Sequence, residues 1–98
     1  MSRIFGPFIE KTRNSNVANY SLKDFLDYLS KEIIHKTFHD DKLIIALLKL
    51  SSIERIIIVF HIVLEMELVE ISYLLGVSLE NVYSRKYRGL NLLRKYLK

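Results

Sequence analysis

The chain has 98 residues, half of them apolar, with three glycines, one proline, no cysteine and a formal net charge of +4. This length allows one domain with a modest core, and the absence of cysteine excludes disulfides and cysteine-based zinc sites. The scarcity of glycine and proline favours an all-α fold. The apolar runs are too short to cross a membrane and no secretory signal is present, so we expect a cytoplasmic protein without a membrane partner.

Residues 1–20 predict an irregular tail or linker. Pro7, preceded by Gly6, cannot continue a helix, and residues 11–19 are mostly polar. The alternative is that the large apolar side chains of the first ten residues dock on the domain or on a partner. Those side chains are Ile4, Phe5, Phe8 and Ile9.

A pair of helices follows the tail. Ser21 with Asp24 is typical of a capping box, and apolar residues at helical spacing predict an amphipathic helix that ends near residues 37–38. The acids at 40–41 start a second helix. Residues 43–48 are apolar nearly all round, so we expect this helix to be buried on most sides or to pair with another chain.

The next stretch predicts a central core helix and a bend. Ser51 or Ser52 caps the helix, and apolar residues across 53–64 form a wide stripe. Residues 65–67, Glu-Met-Glu, are the expected bend into a shorter helix over 68–75.

A glycine-containing turn then separates two helical patterns. Gly76 follows the last periodic residue of one helix, Val77 can fill the joint, and Ser78 can cap the next helix. Two helices joined in this way form a helix-turn-helix, whose second helix can enter the major groove of DNA. The sequence therefore predicts a compact all-α domain of about five helices with a C-terminal helix-turn-helix.

The last helix separates an inward from an outward side. At 100° per residue, the core side comprises Val82, Gly89, Leu93 and Leu97. The opposite side comprises Glu80, Ser84, Tyr87, Arg88 and Asn91. Residues 76–98 carry six basic residues against one acid, so the positive charge is concentrated where it would attract phosphate.

From Leu50 onward the chain resembles region 4 of bacterial sigma factors. The matching residues are Leu50, Arg55, Glu70-Ile71-Ser72, Leu75-Gly76-Val77-Ser78, Val82, Ser84-Arg85, Arg88-Gly89 and Leu93-Arg94. The likeness is greatest to small sigma-like regulators of mobile elements and toxin or bacteriocin loci of Gram-positive bacteria. Together with the residue patterns, this resemblance divides the chain into a tail (1–20), a helical pair (21–50) and the region 4-like part (51–98).

The resemblance implies binding to double-stranded DNA at the upstream (−35) promoter element and to the β flap of RNA polymerase. The positions that it assigns to base reading are Leu79, Glu80, Tyr83 and Ser84. The expected DNA-backbone contacts are Arg85, Tyr87, Arg88, Asn91 and Lys95. The chemistry agrees in part, because Glu80 can accept a hydrogen bond from a cytosine amino group and Arg88 can bind phosphate.

Three residues depart from the family pattern. Glu67 stands where Ser or Thr is usual, at a helix start that commonly meets a phosphate, and its carboxylate would repel one. Glu65 stands where Gly is common, and Lys86 takes an apolar core-side position. We expect the two acids to weaken DNA binding or to make it depend on a partner.

Residues 1–49 are too short for sigma region 2, which grips the polymerase clamp and melts the promoter. They also lack the aromatic and basic run that melting needs. We therefore expect the chain to be a fragment, to work with a separate region 2-like protein, or to act as a lone regulator.

Two other functions remain open. One is a protein-interaction module with a vestigial helix-turn-helix, in which residues 43–48 and the N-terminal aromatics bind polymerase, a sigma partner or a second copy. The other is a dimeric DNA reader of the response-regulator type, although the residues after Ser84 point away from it.

No enzyme or cofactor site is expected. The sequence contains neither a glycine-rich phosphate loop nor a nucleophile elbow. His35 and His39, with Asp40 nearby, have a spacing that suits zinc on a helix, but without a third fixed ligand we read them as surface residues and expect no metal.

Overall fold

The computed structural model describes residues 21–98. The tail prediction and its alternative docking role lie outside the described residues. The helices are α1 (Leu22–Thr37), α2 (Asp41–Lys49), α3 (Ser52–Ile62), α4 (Leu68–Leu75) and α5 (Leu79–Tyr96). Residues 21–98 contain no strand, which confirms the all-α prediction of about five helices. None of these helices has the length and apolarity needed to span a membrane.

Side-chain caps determine where the first three helices begin. Ser21 and Asp24 form a reciprocal capping box at α1, and Ser51 and Glu54 form another at α3. Asp40 caps α2 by accepting a hydrogen bond from a backbone N–H of its first turn. Each cap satisfies an N–H group that a helix start leaves unpaired, at about 1 kcal/mol per cap. The predicted helix starts are confirmed.

α3 is the central helix of the core. All five residues from Ile56 to Phe60 are at most 4% exposed, and α1, α4 and α5 pack around them. Burying each of these side chains contributes about 1.5–3 kcal/mol. No other helix within residues 21–98 buries as many apolar side chains. The other buried apolar side chains are Phe25, Leu26, Ile34, Ala46, Leu47, Leu50, Ile71, Val82 and Leu93.

Two expectations about burial are wrong. α2 is not buried on most sides: Ala46 and Leu47 are buried, whereas Ile45 is 54% exposed and Leu48 is also exposed. The alternative, that α2 pairs with another chain, stays a prediction. Leu97, expected in the core, is 37% exposed. It lies just beyond the last helical residue of α5, so the core side of that helix ends with Leu93.

Arg55 is a buried cation that joins three elements. Its Nη1 donates to the backbone oxygens of Leu50 at 2.7 Å and Leu48 at 3.3 Å, where α2 meets α3. Its Nη2 forms an ion pair with the carboxylate of Asp27 in α1. These partners compensate in part for removing the guanidinium from water, since the buried Nε has no hydrogen-bond partner within residues 21–98. Removing one of these partners would leave the buried charge without that compensation.

The ion pair with Arg55 changes the pKa of the Asp27 carboxyl group. Burial acts to raise its pKa, but the hydrogen bond and charge of Arg55, with smaller contributions from Lys31 and Ser52, lower the pKa below its ordinary value. The folded state therefore binds this proton less tightly than the unfolded state. The resulting stability is present above the ordinary pKa of about 4 and is lost as the pH falls through the lowered pKa.

Replacing Asp27 by Asn should lower the free energy of unfolding at neutral pH by about 2 kcal/mol, because Arg55 loses its counter-charge. It should also flatten the decline of stability below about pH 5. Urea unfolding followed by circular dichroism at neutral and acidic pH measures both effects. Asp41→Asn, at an exposed acid in the first turn of α2, is the control and should keep the acid-dependent loss. An Asp27→Asn variant that loses stability in acid as steeply as the wild type would contradict the assignment.

The bend between α3 and α4 turns at Glu65. Its φ of 55° lies in the left-handed region, where a Cβ costs about 1–2 kcal/mol. The next backbone N–H, that of Met66, donates to the Phe60 oxygen at 3.1 Å and closes the bend. The predicted bend is confirmed, and this φ gives a physical reason for the glycine that is common here in sigma region 4.

Glu65→Gly should raise the free energy of unfolding by up to about 1 kcal/mol, because glycine adopts this φ without strain while adding freedom to the unfolded chain. Glu65→Ala removes the same charge and keeps the Cβ, so it should give no comparable gain. Chemical denaturation of both variants measures the difference. Equal stability of the two would show that charge, and not backbone strain, determines the effect.

Candidate nucleic-acid interface

The turn between α4 and α5 is built on Gly76. Its φ of 69° is left-handed, and a Cβ there would meet no atom within 4 Å, so conformation and not space favours glycine. The Gly76 N–H donates to the Tyr73 oxygen at 3.3 Å, and the Val77 N–H donates to the Ser72 oxygen at 3.1 Å. This pair of bonds is the Schellman helix ending, and it confirms the predicted stop of α4.

α5 begins at the predicted cap. The Ser78 hydroxyl accepts a hydrogen bond from the Asn81 backbone N–H at 3.1 Å. The side of α5 that faces the core carries three buried residues, Val82, Gly89 and Leu93. These contacts orient α5 on α3 and α4, and they complete the predicted helix-turn-helix.

Gly89 is the point where α5 comes closest to α3. A Cβ at this position would lie 2.5 Å from the Ile58 Cδ1 and 3.4 Å from the Glu54 Cβ. Because glycine has only a hydrogen at this position, there is room for the end of the Ile58 side chain. The family pattern that the chain resembles has an alanine in place of Gly89. The absence of a Cβ at Gly89 therefore makes room for the Cδ1 of Ile58.

The outward side of α5 remains accessible. All four predicted base-reading side chains are exposed: Leu79, Glu80, Tyr83 and Ser84. Four of the five predicted backbone contacts are exposed as well: Tyr87, Arg88, Asn91 and Lys95. The fifth, Arg85, is half-buried, as is Lys86 on the core side. The predicted residues thus lie along one helix, with Arg85 the least accessible of them.

Arg88 has a partner that the sequence analysis missed. Its Nε lies 3.8 Å from Oε2 of Glu54, a carboxylate in the first turn of α3 whose side chain is 5% exposed. The Arg88 side chain is itself 68% exposed. The capping pattern of Ser51 and Glu54 predicts the role of Glu54 at its own helix start, but no local signal links it to Arg88.

The start of α4 is acidic. The Glu67 backbone N–H donates to the Glu70 carboxylate at 2.9 Å, and both side chains are exposed. Where other helix starts offer free N–H groups to phosphate, this one carries its own anions. The cationic character of the helix-turn-helix therefore comes from α5 alone.

A second feature not predicted from the sequence is an open apolar pocket of about 200 Å³. It lies between α2, α3 and the later part of α5. Its lining residues are Phe38, Leu43, Leu47, Ile58, Val59, Ile62, Val63 and Leu93.

The two histidines weighed as metal ligands do not share a helix. His35 is in the last turn of α1, whereas His39 lies beyond its end, and both are exposed. Within residues 21–98 no group of three or more histidine, aspartate or glutamate side chains is arranged to hold a metal ion.

An all-helical domain that ends in a helix-turn-helix, with a cationic second helix exposed along one side, defines the class of helix-turn-helix DNA-binding proteins. The model of the family described as "Sigma-70, region 4" matches residues 41–93, more than half of the chain. The chain belongs to this family, whose members are non-enzymatic DNA-binding transcription factors that generally bind DNA and RNA polymerase. No curated protein and no solved structure matches the chain.

A double-mutant cycle measures whether a side chain at position 89 and Ile58 compete for the same space between α3 and α5. Gly89→Ala should destabilise the fold, because the new methyl collides with Ile58 despite the better helix propensity of alanine. Ile58→Val removes Cδ1, so the double variant should be more stable than the sum of the single effects predicts, by about 1 kcal/mol. Thermal or urea unfolding of the four proteins gives this coupling. Strict additivity would mean that the two residues do not compete for space.

Proposed function

We propose that this chain is a transcription initiation regulator that reads an upstream promoter element through the first turns of α5 and also contacts RNA polymerase. The observation that carries the proposal is the exposed outward side of α5, the second helix of a helix-turn-helix, on a helix that contains five of the six basic residues of the segment 76–98. The match to sigma-70 region 4 supports the same function.

Base recognition is assigned to the start of α5. Glu80 can accept a hydrogen bond from a cytosine amino group, and Ser84 can bond to either base type. Leu79 and Tyr83 are exposed beside them and can contact a thymine methyl group.

Phosphate binding is assigned to the cations and polar groups further along the helix. Arg88 and Lys95 are exposed basic side chains, and Tyr87 and Asn91 can donate hydrogen bonds between them. Arg85 is half-buried, so its contribution is long-range charge more than direct contact.

Polymerase contact is assigned to the apolar pocket. It lies on residues of α2, α3 and α5 that are distinct from the outward side of α5, so a polymerase segment and a duplex can bind together. Its lining is apolar, which suits an apolar side chain of a helix or loop, such as the β flap implied by the family.

The proposal predicts DNA binding that weakens steeply as salt rises. Lys95→Gln should weaken binding to all sequences and reduce the salt slope by about 1, because one phosphate contact is lost. Lys36→Gln is a matched control, since both lysines are exposed in the last turn of a helix but Lys36 belongs to α1. Fluorescence anisotropy with a duplex enriched from a random pool, at several salt concentrations, measures both variants.

Absence of duplex binding by the full chain, with and without RNA polymerase, would overturn the proposal. Equal effects of Lys95→Gln and Lys36→Gln would place the DNA elsewhere on the surface. Enrichment of one sequence from the pool only when polymerase is present would mean that recognition depends on the partner.

A protein-interaction module is the second candidate, and the exposed side of α2 favours it. Ile45 and Leu48 are large apolar residues that remain 54% and 37% exposed. On this hypothesis α2 and the apolar pocket bind polymerase, a separate region 2-like protein or a second copy of the chain. Retention of one of these without retention of DNA would support this function over the first.

A further inference from the structure

Glu54 uses both oxygens of a buried carboxylate. One oxygen, Oε1, accepts a hydrogen bond from the Ser51 backbone N–H at 3.3 Å and completes the cap of α3. The other, Oε2, lies 3.8 Å from the Arg88 Nε on α5. A buried carboxylate needs such partners, because burying an unpaired charge is costly.

The pairing leaves most of Arg88 available. A guanidinium has one Nε and two Nη groups in a single plane, and the ion pair with Glu54 is made at the Nε. Within residues 21–98 the structure gives the two Nη groups no ion pair, and the side chain is largely exposed. Arg88 thus makes an ion-pair contact at its Nε, at a distance longer than a hydrogen bond, and its two Nη groups form the edge that can bind phosphate through two parallel hydrogen bonds.

The close approach at Gly89 supports this arrangement. Because Gly89 has no side chain, α5 lies against the Glu54 Cβ, one residue from Arg88. The first turn of α3 therefore packs directly against the middle of α5.

We propose that Glu54 is a positioning residue for DNA binding, which orients the Arg88 guanidinium so that its Nη groups meet a phosphate. This inference rests on the proposed function and adds to it a residue outside the helix-turn-helix. The alternative role for Glu54 is structural only, as a helix cap whose negative charge opposes DNA binding.

The two roles predict opposite signs. Glu54→Gln keeps the size of the side chain and the capping pattern, because glutamine also serves in a capping box. Removal of a negative charge would by itself strengthen DNA binding. If Glu54 positions Arg88, the variant should instead bind a short mixed-sequence duplex about three- to tenfold more weakly, since a long side chain must then be ordered on binding.

A second substitution isolates the effect. In an Arg88→Gln background, Glu54→Gln should no longer weaken binding, because there is no guanidinium left to position. Glu70→Gln is the matched control: Glu70 occupies the same capping position in α4 but makes no ion pair within the described residues, so its neutralisation should strengthen binding. Circular dichroism of each variant establishes that the fold is kept.

A measurement without DNA tests whether Glu54 orders the Arg88 side chain. The Arg88 Nε–Hε group should give an ordered signal in ¹⁵N relaxation of the wild type and a mobile one in Glu54→Gln. Stronger duplex binding by Glu54→Gln, or equal effects in the two Arg88 backgrounds, would overturn the positioning role while leaving DNA binding intact. If the wild type shows no salt-dependent duplex binding, the proposed function and this inference both fail. This holds even if ¹⁵N relaxation shows an ordered Arg88 Nε–Hε group.

Discussion

The first turn of α3 carries two adjacent and opposite charges, Glu54 and Arg55, and both are buried. Each is paired with a different neighbour: Arg55 with Asp27 of α1 and Glu54 with Arg88 of α5. Apolar burial along α3 supplies most of the stability, but it is non-directional. The two ion pairs add direction, because a rotation of α3 about its axis would separate both charges from their ion-pair partners on α1 and α5. The placement of α1 and α5 around the core therefore depends on this pair of residues.

The features predicted from the sequence are those with local causes. Caps such as Ser78 act within one helical turn and the left-handed stop needs only Gly76, so helix starts and the turn were predicted correctly. The outward side of α5 followed from its periodicity. Pairing between Glu54 and Arg88 could not be predicted in this way, because it depends on how two distant helices pack. Leu97 was misplaced because periodicity does not indicate where a helix ends.

Charge is distributed unevenly between the two helices of the helix-turn-helix. α5 is basic, whereas exposed Glu67 and Glu70 mark the start of α4. Acids on α4 and cations on α5 act on a nearby phosphate in opposite directions, each over a screening length of about 8 Å at physiological salt. The affinity of such a surface for DNA alone is therefore lower than the charge of α5 suggests. On the proposed function, a second contact to RNA polymerase would raise the effective concentration of the protein at the DNA and offset this weakness.

The apolar pocket and the outward side of α5 are linked through a short stretch of that helix. Leu93 lines the pocket, and it lies between Arg88 and Lys95 on the same rigid helix. Ile58 also lines the pocket, and its terminal methyl group occupies the space beside Gly89. A side chain seated in the pocket would press on the same contact that sets the distance between α3 and α5, and hence the distance between Glu54 and Arg88. On the proposed function, the contact between Ile58 and Gly89 therefore lies between the docking surface and the phosphate-binding surface, and a packed interior at that contact resists compression.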